Sequence, residues 1–208
     1  MKKVTFSPLW MAYAGVLVAL QIVLGNLVQI AFVTKQMNLG FLPIAAAGYL
    51  LGPVGALVVA VLGDVLGTLI FGTGAYFAGF TVTAALVGLI YGWMMYPENQ
   101  KWLTKTVKNH SFEVGVRAFF AASLAAVVYI FLNSYWVTFI VPKGYGVLLL
   151  GRLPFNLAEI PVFTVLITIT CAALDRLPPT LLPEVVRGYI RGKGQGADAQ
   201  ASKHQDHQ

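Results

Sequence analysis

Charged residues are scarce in this chain of 208 residues, of which 11% are Asp, Glu, Lys or Arg and 58% are hydrophobic. Because soluble domains carry roughly 25% charged residues, this balance excludes an ordinary soluble fold and indicates an integral membrane protein. Between Gly40 and Gly92 the only formally charged side chain is Asp64. The single cysteine, Cys171, excludes both a disulfide framework and a multi-cysteine metal site.

Motifs for ATP hydrolysis and nucleophilic catalysis are also missing. No GxxxxGK[ST] loop occurs, so the chain is not expected to hydrolyse ATP. His110 falls in a predicted loop, and His204 and His207 fall in the tail, so no candidate nucleophile has a histidine base beside it. We therefore predict that the protein is not an enzyme and uses no metal and no cofactor.

The sequence instead contains long apolar runs, which favour helices over the short alternating strands of a membrane β-barrel. They predict an all-α integral membrane bundle of six transmembrane helices. The second run is short, and Gly52-Pro53 at its end predicts a tilted or broken helix that is joined tightly to the third. The predicted spans lie near residues 9–33, 39–51, 54–71, 80–96, 114–140 and 147–174.

The distribution of cations predicts the orientation. Six spans place both termini on one side, and with the N terminus in the cytoplasm eleven of the 14 Lys and Arg residues lie inside. This N-in/C-in arrangement divides the chain into a membrane-embedded domain, residues 1–176, and a cytoplasmic tail, residues 177–208, with a possible interfacial helix followed by a disordered end. The apolar runs indicate the lipid bilayer as a partner. We expect no nucleic acid as a partner, because the cations are split among loops rather than gathered on one face.

Polar side chains within the spans are the candidate functional residues. Arg152, Asn156 and Glu159 lie at i, i+4 and i+7 and so share one helical face. Arg152 and Asn156 either receive a carboxylate or a heterocycle of a ligand, or brace the bundle together with Glu159. Asn133 is surrounded by apolar neighbours and needs a partner, which is either another helix or a ligand.

Asp64 lies deep in the third predicted span, where an ionised carboxylate is costly unless it is paired, hydrated or protonated. It either couples transport to an ion or a proton, or it ties helices together near Gly63 and Gly67. A structural role is favoured, because one acid does not make a proton relay.

Glycines and aromatic residues mark the predicted outer face. Tyr76 and Phe77 follow the glycine-rich turn that includes Gly74, which is typical of a lid, and Phe80 lies next to them. Trp136 either covers a ligand or anchors the helix at the membrane interface. In the first span, Gly15 and Ala19 form a small-xxx-small pair that allows another helix to approach closely.

Five short segments carry a family resemblance, and Leu132-Asn133 and Arg152 extend it. In order and spacing they resemble the folate-family substrate-binding S components of energy-coupling factor (ECF) vitamin transporters. The resemblance covers roughly residues 9–174 by architecture. The segments are GFLPI at 40–44, LGP at 51–53, GDVLG at 63–67, YFAGFT at 76–81 and GLIYG at 88–92.

The resemblance implies a six-helix bundle in a bacterial plasma membrane that binds a vitamin from outside. It also implies docking onto a transmembrane scaffold subunit with two ATPase subunits, which fits the missing ATP motif. The AxxxA docking motif of the family falls on Gly15 and Ala19, with glycine replacing the first alanine. The candidate substrate-binding residues are Asn26, Phe41, Gly74, Tyr76, Phe77, Phe80, Asn133, Trp136, Arg152 and Asn156.

Two departures from the family pattern leave the vitamin open. Folate-specific members look to have an arginine shortly after the first helix, where this chain has Asn26. They also look to have a proline in the lid, where this chain has Gly72 and Ala78. Folate and the monoanion pantothenate therefore rank level, with a hydroxymethylpyrimidine-type ligand behind them. The competing hypothesis is an autonomous proton-coupled secondary transporter with Asp64 as its coupling site.

Overall fold

A computed structural model describes residues 7–27, 29–31, 36–71, 76–100, 109–141 and 144–192. Within these ranges, five helical segments are long and apolar enough to cross a membrane. In chain order the elements are α1 (Pro8–Asn26), β1 (Gln29–Ala31), β2 (Gln36–Asn38), α2 (Phe41–Phe71), α3 (Ala78–Met95), a 3-10 turn (Pro97–Gln100), α4 (His110–Val128), a π-helical turn (Tyr129–Asn133), α5 (Ser134–Thr138), α6 (Tyr145–Leu174) and α7 (184–192).

The helix α2 contains the break that Gly52-Pro53 predicts. Gly52 has φ 78° and ψ −166°, a left-handed conformation that favours glycine, and Pro53 follows without an amide hydrogen to continue the ladder. The predicted spans 39–51 and 54–71 are therefore the two arms of one kinked element. Six separate spans are not confirmed, because five candidate segments account for the long apolar helices of the described ranges.

The described part of the chain is nearly all helical, as the predicted all-α fold requires, but the first span, predicted near residues 9–33, is too long at its C-terminal end. The helix α1 ends at Asn26, and residues 29–31 and 36–38 pair as an antiparallel hairpin with Ile30 opposite Met37. The apolar residues after Gly25-Asn26 extended the predicted helix, although that Gly-Asn pair is itself a helix-ending signal. In the hairpin, the two strands pair backbone N–H and C=O groups with each other that a longer α1 would have paired within the helix.

Close backbone approach joins the second arm of α2 to α3. A Cβ atom added at Gly88 would lie 2.8 Å from the carbonyl oxygen of Ala56, so a larger residue would push the two helices apart. Val59, Ala60 and Val87 are fully buried beside this contact. The packing holds the second arm of α2 against the middle of α3 in a fixed relative position.

A polar network ties the chain together at the end of the bundle that contains the kink at Gly52. The Tyr49 hydroxyl donates to Asp175 Oδ1 at 2.6 Å, and His110 Nε2 lies 2.6 Å from Asp175 Oδ2. His110 Nδ1 lies 3.2 Å from the hydroxyl oxygen of Tyr189 in α7. Burial raises the pKa of the Tyr189 phenol, which moves its ionisation still further above neutral pH.

The helix α7 packs onto the bundle through Leu182, which precedes it, and Val186, both of which are buried. The Tyr13 hydroxyl of α1 donates to the carbonyl oxygen of Leu181 at 2.5 Å. The predicted division of the chain at residue 176 stays a prediction, and the end expected to be disordered lies outside the described residues.

The fifth predicted span begins earlier than residue 114, because Asn109 caps α4. Its Oδ1 accepts a hydrogen bond from the amide of Phe112 at 3.3 Å, so His110 is the first helical residue rather than part of a loop. The extended helix carries Glu113 and Arg117 into the interior, where they form an ion pair and are 0% and 1% exposed. This pair lies beside the network around Asp175.

Candidate functional site

A cavity of about 360 Å³ lies at the end of the bundle opposite the polar network. This volume is within the range of about 300–1,000 Å³ that is usual for small-molecule sites. Helices α1, α2, α3 and α6, the π-helical turn and the end of β2 supply its walls. The lining residues are Gln21, Gly25, Asn26, Asn38, Gly40, Phe41, Ile44, Gly63, Asp64, Thr68, Phe80, Ala84, Tyr129, Asn133, Arg152, Asn156, Glu159 and Phe163.

Local backbone structure explains how two of the walls form. The π-helical turn Tyr129–Asn133 interrupts the helical segment His110–Thr138, and both its first and its last residue line the cavity. Such π-bulges are frequent at functional sites because they change the direction in which side chains point. On another wall Asn38 Oδ1 accepts from the amide of Gly40 at 3.0 Å, which fixes the entry into α2.

Arg152 is the only cationic residue that lines the cavity within the described ranges. Its Nε atom is buried without a hydrogen-bond partner there, and its side chain forms no ion pair in that part of the chain. Among the described residues, no side-chain contact of Arg152 shows the bracing role that the sequence allowed for it. A buried donor without a partner favours a ligand group that accepts a hydrogen bond.

Asn156 and Glu159 extend the polar face of α6 below Arg152. The Asn156 amide donates to the backbone carbonyl of Arg152 at 2.9 Å, and Asn156 and Glu159 are 2% and 9% exposed. Both also line a small second cavity of about 10 Å³ that includes Tyr91 and Tyr129. The i, i+4, i+7 pattern thus predicts correctly that the three side chains share the inner face of α6.

Asp64 also lines the cavity, and a neighbouring hydroxyl orients its carboxylate. Thr81 Oγ1 of α3 donates to Asp64 Oδ2 at 2.7 Å. The Tyr76 hydroxyl lies 3.1 Å from the same Thr81 oxygen and can donate to it, because Thr81 has only one hydroxyl proton. Asp64 links α2 to α3, as a structural acid would, but it also faces the space where a ligand fits.

Two amide side chains of the cavity wall have acceptor atoms without partners. Gln21 Oε1 of α1 and Asn133 Oδ1 of the π-helical turn are buried and accept no hydrogen bond within the described ranges. An unpartnered buried acceptor costs free energy unless a ligand or a water donates to it. The need for a partner at Asn133 follows from the sequence, whereas Gln21 was not singled out.

Aromatic rings form the apolar part of the site. Phe41 at the start of α2 stacks on Phe163 of α6, with ring centroids 3.7 Å apart and an angle of 17° between the planes. Phe80 lies across the cavity and contacts Phe77, which packs on Trp136 at 5.8 Å. Flat apolar surfaces of this kind suit a ligand with an aromatic ring.

The structure brings six of the ten candidate substrate-binding residues to the cavity wall. Tyr76, Phe77 and Trp136 lie outside the wall, and Trp136 Nε1 donates to Thr83 Oγ1 at 3.1 Å. Gly74 lies outside the described residues. The six that line the cavity are Asn26, Phe41, Phe80, Asn133, Arg152 and Asn156.

The sequence analysis did not select several residues of the wall, among them Asn38, Thr68, Tyr129 and Phe163. Phe163 carries one usable signal, because it lies seven residues after Asn156 and so falls on the same helical face. Tyr129 shows no comparable signal, since the π-helical turn that aims it is not visible in hydrophobic periodicity.

Comparison with known proteins identifies the family. The model of the ECF transporter substrate-specific component matches residues 10–170. The chain belongs to this family. The predicted resemblance is thereby confirmed, and the chain is a multi-pass membrane component of a transporter rather than an enzyme.

Individual relatives agree with this assignment. The chain is 32% identical over 177 residues to the folate transporter FolT of Clostridium novyi (strain NT), covering 85% of this chain and 94% of that protein. The crystal structure of FolT bound with folic acid superposes with a TM-score of 0.65 at 24% identity, covering 77% of this chain and 91% of that one. This structural likeness supports the fold.

Proposed function

We propose that this S component captures folate from outside the cell for import. The observation that carries the proposal is the cavity, which combines the guanidinium of Arg152, whose Nε has no partner among the described residues, with the stacked rings of Phe41 and Phe163. Folate carries carboxylates at one end and an aromatic heterocycle at the other, so it matches both features. The FolT relative of 32% identity supports folate over pantothenate. Folate therefore ranks first here, although the sequence alone ranked the two vitamins equally.

The charge distribution supports an orientation in which the cavity opens to the outside. In the N-in/C-in arrangement, the Asp175 network and α7 face the cytoplasm, next to most of the Lys and Arg residues. The cavity at the opposite end then receives the vitamin. Release to the inside requires the ECF scaffold subunit and its two ATPase subunits, in the plasma membrane of a bacterium.

A binding panel tests the substrate. Protein purified in detergent is expected to bind one equivalent of folate without ATP, and to bind pantothenate and hydroxymethylpyrimidine at least about tenfold more weakly, as fits a site whose polar groups find partners on only one ligand. Isothermal titration calorimetry measures all three affinities. Tighter binding of pantothenate, or no binding of folate, would contradict the proposal.

An uptake assay with the same protein in liposomes distinguishes an S component from an autonomous proton-coupled transporter. In such a transporter, Asp64 would be the coupling site. We expect no folate uptake driven by a proton gradient by this chain alone. Uptake that requires only this chain would favour the secondary transporter.

The exposed face of α1 is the proposed docking surface for the scaffold. Gly15 and Ala19 are exposed, and a Cβ atom added at Gly15 meets no atom within 4 Å, so larger residues fit without disturbing the fold. Replacing both by leucine is expected to reduce copurification with the scaffold at least about tenfold, because small residues allow helices to approach closely. Folate affinity should be unchanged, since neither residue lines the cavity.

Replacing Val16 and Leu20 on the exposed surface of α1 by alanine is the control for lost lipid contact. Undiminished copurification of the Gly15→Leu, Ala19→Leu variant would reject this docking surface.

A further inference from the structure

The helix α7 and the segment before it lie at the height where several long helices end. The Tyr13 hydroxyl, in the second turn of α1, donates to the carbonyl oxygen of Leu181. Tyr189 of α7 contacts His110, the first residue of α4. The other partner of His110 is Asp175, which directly follows the last residue of α6. Because these spanning helices reach their ends here, α7 lies at the membrane interface rather than in the water beyond it.

The helix α7 packs its apolar side on the bundle and leaves its cationic side outside. Val186 is fully buried, whereas Arg191 is exposed and Arg187 is partly exposed. The two arginines are four residues apart, so they are neighbours on one face of the helix. Leu181, just before the helix, is 45% exposed. A cationic face beside an exposed apolar residue is typical of segments that bind the lipid interface.

The charge at this end of the bundle is positive. Residues 176–192 contain three arginines and one acid, Glu184, which gives a net charge of +2. Arg176, just after α6, is exposed like Arg191. A cation close to an anionic membrane surface increases binding by about fivefold. The surface therefore complements anionic lipid headgroups, and in the proposed N-in/C-in orientation it faces the cytoplasmic leaflet.

Arg187 carries a donor that the described part of the chain does not use. Its Nη2 atom donates to the carbonyl oxygen of Leu182 at 3.1 Å, which holds one edge of the guanidinium in place. Its Nε atom is buried and has no hydrogen-bond partner within the described ranges. A buried donor of this kind favours an acceptor from outside the chain, and phosphate oxygens match the geometry of a guanidinium.

We propose that Arg187 and Arg191 bind the phosphate of an anionic lipid headgroup, with Leu181 against the adjoining acyl chains. A lipid is favoured over a free anion because the site lies at the membrane interface beside an exposed apolar side chain. The bound lipid fixes α7 to the bilayer as well as to the bundle. The site is separate from the cavity, so the proposal does not depend on which vitamin the protein binds.

Lipid competition in mixed micelles tests the proposal. The full chain in neutral detergent is mixed with equal amounts of phosphatidylglycerol and phosphatidylcholine of the same acyl chains, and native mass spectrometry counts the lipids retained. The unaltered protein is expected to prefer phosphatidylglycerol by at least about tenfold, as two cations beside an anionic headgroup predict. The double variant Arg187→Gln, Arg191→Gln should reduce this preference to within about threefold.

A matched variant controls for net charge. Lys35→Gln, Lys143→Gln removes the same charge from loops that the sequence predicts on the other side, and it should keep the full preference. If the double arginine variant does not fold, Arg191→Gln alone changes an exposed residue and should lower the preference by at least about threefold. Melting temperatures in detergent without added lipid show which variants are folded.

Four results would overturn the proposal. The first is equal retention of the two lipids by the unaltered protein, and the second is a full preference in the folded arginine variants. The third is an equal loss in the lysine control, which would assign the effect to overall charge. The fourth is displacement of phosphatidylglycerol by inorganic phosphate beyond that by sodium chloride of the same ionic strength, which would indicate a site for a free anion.

Discussion

Replacing Arg152 by alanine is expected to weaken folate binding by about 10- to 100-fold, which is the scale of hydrogen bonds to a charged partner. The guanidinium lines the cavity, and its Nε finds no partner within the described ranges. Among the described residues, its removal therefore leaves no side chain without a partner that it had before. We expect the melting temperature measured without folate to stay the same or to rise, since a buried donor without a partner is itself costly.

Two control variants sharpen this experiment. Arg152→Lys keeps the positive charge but loses the planar fork of donors, so its folate affinity should fall between those of the unaltered protein and Arg152→Ala. Arg176→Ala removes an exposed cation at the opposite end of the bundle and should not change affinity. Isothermal titration calorimetry measures the folate affinities of the unaltered protein and the three variants. Unchanged folate binding by Arg152→Ala would show that Arg152 does not contact the ligand.

Replacing Arg117 by methionine should cost about 3–5 kcal/mol of folding free energy, because removing one partner of a buried ion pair leaves an uncompensated charge. Arg117 and Glu113 are 1% and 0% exposed, so water cannot solvate the carboxylate that remains. The guanidinium also lies 5.3 Å above the ring of Tyr189, so its loss weakens the attachment of α7. Unfolding in mixed detergent micelles measures the change.

The double variant Glu113→Gln, Arg117→Met is the control, since it removes both charges. It should recover most of the lost stability, because replacing both members of a buried pair by neutral groups is often close to neutral. Equal losses in the single and double variants would show that packing, rather than the unpaired carboxylate, sets the cost. Folate affinity of the folded fraction should be unaffected, since the pair lies at the end away from the cavity.

The helical regions were largely predictable from the sequence because hydrophobic length and breaker residues act locally. Gly52-Pro53 predicts the break in α2, and the structure has a left-handed Gly52 there. The ends were less predictable. The apolar residues after Asn26 extended the first helix into a hairpin, and the Asn109 cap starts α4 before the hydrophobic run begins.

Residues of the site were predictable where a single element carries the signal. The face of α6 with Arg152 and Asn156 follows from helical spacing, and both line the cavity. Gln21 and Tyr129 were not predictable, because they face the cavity only through the packing of α1 and the π-helical turn. Phe77 and Trp136, chosen as outer-face aromatic residues, pack on each other instead of forming the wall, and Phe77 also contacts Phe80.

The sequence by itself determined that the chain resides in a membrane, that it is built mainly of helices and which transporter family it belongs to. These properties depend on composition, on the length of apolar runs and on short motifs, all of which are local. Only the tertiary structure decided that Asp64 of α2, Arg152 of α6 and Asn133 of the π-helical turn surround one cavity. Their meeting depends on helix packing across long sequence separations, and packing also decides which polar atoms remain without a partner and so select the ligand.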